Sequence, residues 1–132
     1  MMIVINAPYR MVRDNIRRIK KLDVGVEVYF NNDTIVEVDE AHVTETGKIL
    51  RGEGIQCSVH APFMDLSPGA VDRDVRTITK EKLKKTVAMA NHLGALGVVC
   101  HPGYDRWRFG DYIDIWLEGS VDTWSEVLAV AG

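Results

Sequence analysis

A chain of 132 residues with 46% hydrophobic and 27% charged side chains has the size and mix of one globular domain, residues 1–132, with a core of its own; a disordered or low-complexity chain is excluded. Nineteen acidic against 16 basic side chains leave a net charge of −3, which speaks against a polyanion as the main partner. No stretch is apolar for long enough to span a membrane, and two cysteines, Cys57 and Cys100, both inside expected strands, read as buried thiols of a reduced, cytoplasmic protein.

Strand and helix patterns alternate four times. Residues 2–7 form a short apolar run without a basic flank, ending in Asn6-Ala7-Pro8, so a buried strand explains them better than a signal peptide. Val12, Ile16 and Ile19 then place one apolar stripe on a helix over 9–22. A second strand covers 24–30. The next helix runs over 39–50, with Asp39 as N-cap and Gly52 and Gly54 as its stop. A third strand over 55–60 leads to the longest helix, 71–93, whose apolar face is Val75, Ile78, Leu83, Val87 and Ala90 and whose end is Gly94. The fourth strand is 97–101. A last helical region begins near Asp111, with an interruption expected at Gly119-Ser120.

Strand parity separates two faces. Val24, Val26, Val28 and Phe30 point one way, toward helices, while Gly25, Glu27 and Tyr29 point the other. If His60 and His101 share a face, it is also that of Ser58, Gln56, Val99 and Gly97, and Cys57, Val59, Val98 and Cys100 lie opposite. Each histidine closes a β-branched run and opens a proline turn, in Ser58-Val59-His60-Ala61-Pro62-Phe63 and in Val99-Cys100-His101-Pro102-Gly103-Tyr104. Two imidazoles at the C-terminal ends of neighbouring parallel strands occupy the place where α/β folds carry out chemistry.

Four segments carry a family resemblance: His60-Ala61-Pro62-Phe63, Asp65-Leu66-Ser67-Pro68-Gly69, Leu93-Gly94-Ala95, and Val98 through Tyr104. In this order and spacing the sequence resembles the xylose-isomerase-like (β/α)8 superfamily of divalent-metal sugar isomerases and epimerases and endonuclease IV-type abasic-site nucleases. The likeness extends over the whole chain but only over the first half of the family's barrel, so the implied fold is an α/β, parallel (β/α)4 half-barrel. By resemblance His60 and His101 are metal ligands, with zinc, manganese or magnesium as the cofactor, while the remaining ligands and the acid/base carboxylates belong to strands this chain lacks. The implied reaction is metal-assisted proton transfer next to a carbonyl, and the chain alone is expected to be incomplete for it. An endonuclease IV-like fragment and a non-catalytic assembly module are the other two readings.

Around the histidines, Glu27 is either a further ligand, a substrate contact or a carboxylate paired with an arginine, and Phe63 and Tyr104 either stack on a substrate ring or close the mouth. Asp65 and Ser67 read as turn residues, His42 and His92 as solvated helix residues, and Arg106-Trp107-Arg108 as a surface loop. With no Lys/Arg stripe through the strand-end loops, a small sugar or polyol fits better than duplex DNA. A homodimer is expected from charge and open edges. The first helix carries Arg10, Arg13, Arg17, Arg18, Lys20 and Lys21 against Asp14 alone, and the last carries Asp111, Asp114, Glu118, Asp122 and Glu126 with no basic residue.

Overall fold

The computed structural model describes residues 3–131. Four parallel strands form one sheet in the order β1 (Val4–Pro8), β2 (Gly25–Tyr29), β3 (Cys57–His60), β4 (Val98–Val99). Between them run α1 (Tyr9–Asp14), α2 (Ile16–Leu22), α3 (Thr34–Glu37), α4 (Glu40–Gly52) and α5 (Arg73–Leu93); α6 (Arg106–Phe109), a 3-10 turn over Gly110–Tyr112 and α7 (Ile113–Leu128) follow β4. Every strand-to-strand crossover is helical, as parallel pairing demands. No helix among the described residues is long and apolar enough to cross a membrane.

The expected parity holds. Val26, Val28, Phe30 and Val59 are fully buried on the helix side, where they meet Val12, Ile35, Val43, Leu50, Met89 and Leu93. The register pairs Asn6 with Glu27, Glu27 with Ser58, Tyr29 with His60 and His60 with Val99, so these residues share the opposite face. On that face Asn6 and Val99 are exposed and Glu27, Tyr29, Ser58 and His60 half-buried.

Helix ends follow local chemistry. Asp72 accepts hydrogen bonds from the amides of Asp74 and Val75, and Asp39 from that of His42, so each carboxylate satisfies a first turn that has no intrahelical partner. At the other end of α5, Gly94 adopts φ 69°, and Arg51 donates from Nη1 to the Leu93 carbonyl at 2.8 Å.

Five local expectations are corrected. The helix over 9–22 is broken at Asn15, whose backbone leaves helical geometry and whose Nδ2 donates to the Met11 carbonyl at 2.9 Å, an alternative that asparagine offers the chain. The interruption at Gly119-Ser120 does not occur: α7 runs through it, because these small residues face the Pro68-Gly69 turn, onto which Thr123 Oγ1 donates at the Pro68 carbonyl, 2.8 Å away. The fourth strand shortens to Val98–Val99, since the chain turns away at Pro102 and pairs on one side only. The sequence pattern gives no sign of the short helix α3, nor of α6, where Asp105 caps the Trp107 amide and turns the expected Arg106-Trp107-Arg108 loop into a helical turn. His92 is half-buried rather than solvated, with Nδ1 3.0 Å from Thr44 Oγ1 and Nε2 3.7 Å from Glu40.

Candidate metal centre

β3 and the turn after β4 deliver His60 and His101 to one point. The two Nε2 atoms lie 3.1 Å apart. Behind them, Glu27 Oε1 sits 2.8 Å from His60 Nδ1 and accepts a second hydrogen bond, also 2.8 Å, from Asn6 Nδ2. Three neighbouring strands and the turn after the fourth thus supply one chain of contacts, Asn6 to Glu27 to His60 to His101. The His60 and Asn6 hydrogen bonds hold the Glu27 carboxyl below the usual glutamate range, so it is an anion at neutral pH.

An ionised Glu27 fixes the His60 tautomer. In a neutral His60 ring, Nδ1 then carries the proton and donates to the carboxylate, and the Nε2 lone pair faces His101. In the neutral pair His101 Nε2 donates its hydrogen across the 3.1 Å gap. Two nitrogen ligands of a tetrahedral zinc, at roughly 2.0–2.1 Å each, stand roughly 3.3 Å apart, close to the spacing already set. The donor set therefore suits a divalent transition metal, with Glu27 orienting the imidazole from behind. It is two donors only: among the described residues no group of three His, Cys, Asp or Glu converges to hold an ion.

Aromatic rings wall this point. Phe63 stacks on His101 with centroids 4.4 Å apart and planes 24° from parallel, and it meets the His60 ring at 5.8 Å; Tyr29 approaches His60 edge-on at 5.8 Å. The Phe63 ring is thus brought to the imidazoles, whereas Tyr104 packs on Trp116 at 4.9 Å and Phe109 at 6.4 Å, toward α7. Asp65 occupies a left-handed turn (φ 59°) and Ser67 is buried in the loop, where its amide donates to Thr79 Oγ1. Sequence reasoning puts Tyr29 on the face of Glu27 by parity without singling it out, and misses Asn6, whose signal is usable only once the register of β1 on β2 is known. Burial pushes the Cys57 and Cys100 thiols up, and both are free, so they behave as packing groups on the helix side.

A half-barrel with its polar side chains gathered at the C-terminal strand ends has a family. The chain belongs to the xylose isomerase-like TIM barrel family, whose profile matches residues 16–132. The protein MJ1311 of Methanocaldococcus jannaschii is 34% identical over 77 residues, 58% of this chain and 26% of that protein. Among solved structures, the TTHB071 protein from Thermus thermophilus, soaked with ZnCl2, superposes with a TM-score of 0.73 at 22% identity, covering 99% of this chain and 53% of that one. A D-tagatose 3-epimerase-like protein superposes with a TM-score of 0.75 at 21% identity, covering 96% and 48%. At those identities the likeness establishes the fold, and the chain spans about half the length of these solved relatives.

Proposed function

We propose that this chain carries the bis-imidazole half of a divalent-metal site that serves isomerisation or epimerisation of a small sugar or sugar phosphate. The observation that carries the reading is the His60–His101 pair, with its Nε2 atoms facing each other at a strand-end mouth and Glu27 holding the tautomer that presents a lone pair. His60 and His101 would hold the ion, and zinc, manganese and magnesium are the candidates, of which zinc best suits two imidazoles. A bound cation there would polarise vicinal oxygens of a polyol or hydroxy-carbonyl. Phe63 and Tyr29 would offer apolar edges to the carbon skeleton of the substrate.

The choice of a polyol over duplex DNA rests on charge. Connections 30–33, 61–72 and 100–105, which rim the mouth, contain no Lys or Arg; Lys82 and Arg76 reach them by donating to Asn32 and to the Ala70 carbonyl, and these form no basic stripe of the kind that follows a duplex phosphate backbone. Glu27 is engaged by two neighbours, and proton abstraction from carbon falls to a carboxylate on other strands. The isolated chain should accordingly bind metal and show no ketose epimerisation.

Isothermal titration of the purified chain with Zn²⁺, in two buffers of different ionisation enthalpy, tests the reading. Binding that is lost in His60→Ala and in His101→Ala, with far-UV circular dichroism unchanged, is the expected result. Glu27→Gln should weaken it roughly 10–100-fold, as for other groups that orient a ligating histidine. Equal Zn²⁺ binding by the wild type and the double histidine variant would overturn the proposal.

A further inference from the structure

The sheet ends in two open edges, and each is bordered by an apolar groove on its helix side. Beside β1 the groove, about 410 Å³, is lined by Ile5, Ala7, Met11, Asn15, Arg18 and Leu22. Beside β4 a groove of about 430 Å³ is lined by Leu96, Val98, Cys100, Trp124, Val127 and Leu128. Helix α7 buries Gly119, Ser120, Thr123 and Val127 against its own chain, yet carries a second apolar stripe, Leu117, Val121 and Leu128, at i, i+4 and i+11. On the opposite edge Met11 and Leu22 form the matching ridge. All five of these ridge and stripe side chains are more than half exposed. A helix apolar on two sides needs a partner on the second.

The edges differ in charge. Arg18 lies within the β1 groove, and Arg17, Lys20 and Lys21 stand exposed on the same short helix. Asp114, Glu118 and Asp122 stand exposed around the α7 stripe, none of them in an ion pair within the described residues. All four strands run the same way, so β4 of one copy beside β1 of another continues a parallel sheet, and doing so twice around a two-fold axis closes eight strands.

We infer that the two edges are a single interface for a second copy of this chain, in which the basic α1–α2 edge of each copy seats on the acidic, apolar α7 edge of the other. The arrangement bears on the metal centre, which has two donors in one chain: closure brings the same His60 and His101 of the second copy to the same end of one barrel. It pairs the unbonded edges of β1 and β4 and covers both apolar stripes. Apolar burial supplies most of the association, and the charges select the register and orientation.

Sedimentation or light scattering on the 132-residue chain at micromolar concentration should give twice 14.8 kDa. Val121→Asp, at an exposed position, and Arg17→Glu/Arg18→Glu should each shift the chain to monomer, raising Kd roughly tenfold or more, with circular dichroism unchanged. Asp114→Lys/Glu118→Lys should do the same alone. A chain carrying both charge swaps should dimerise again, since each swapped edge then meets the opposite sign at both contacts. A monomeric wild type, which would leave the edges to some other occupant such as further strands of a longer polypeptide, overturns the inference. So does a dimer indifferent to Val121→Asp, or a failure of the combined swap to restore it.

Discussion

The two faces of this sheet obey different physics. On the helix side, Val26, Val28, Phe30 and Val59 are fully buried among aliphatic neighbours, with Tyr9 stacked on Phe30 at 5.1 Å. On the mouth side, Asn6, Glu27, Ser58 and His60 lie on one face, partly exposed, and hydrogen bonds link Asn6, Glu27 and His60. Alternation along each strand produces both faces from the same few residues. The helix side stores stability in packing, which is insensitive to pH; the mouth side stores little, and what it stores depends on protonation.

Equivalent truncations on the two faces should expose that difference most strongly. Phe30→Ala empties a site with no solvent access and should cost about 3–5 kcal/mol in urea denaturation. Phe63→Ala removes a ring that is 37% exposed and stacked on His101, and should cost about 0.5–1.5 kcal/mol. Similar losses at both positions would mean that the mouth is packed like the core.

A smaller effect measures how tightly the helix layer is locked. Gly47 on α4 lies so close to the end of α5 that an added Cβ would stand 2.6 Å from the Leu93 carbonyl oxygen and 2.8 Å from that of His92. Both obstacles are backbone, so the helices themselves must separate. Gly47→Ala should therefore destabilise by about 1–3 kcal/mol, although alanine is the better helix former. A neutral or stabilising result would show that α4 and α5 slide freely on the sheet.

The legible parts of the molecule are those decided within a few residues. The valine alternation ending in Phe30, the Asp39 cap, the Gly94 stop and His60 before Pro62 all signal through local geometry and emerge where expected, whereas His101 lies two residues past the end of β4 and still meets His60. What sequence does not locate depends on neighbours from elsewhere. Gly119-Ser120 looks like a helix break until the Pro68-Gly69 turn is placed against it, and Tyr104 looks like a mouth residue until Trp116 offers it a better partner. Asn6 joins the site only through a register that no single strand encodes.

The last and smallest effect belongs to the mouth alone. Hydrogen bonds from His60 and Asn6 depress the Glu27 carboxyl relative to an unfolded chain, where a glutamate titrates near about 4.3. A group whose folded value is depressed stabilises the fold fully above the unfolded value and loses that contribution as pH falls through the folded one. Wild type should therefore exceed Glu27→Gln in stability at about pH 6.5, and the gap should narrow steadily below about pH 4.3. Phe30→Ala, by contrast, should show a deficit that does not change over the same range, because no proton is linked to it. Urea midpoints of the three proteins across that window check both statements together. A Glu27→Gln gap that stays constant, or widens in acid, would mean that the carboxylate gains nothing from His60 and Asn6, and the tautomer assigned to His60 would lose its support.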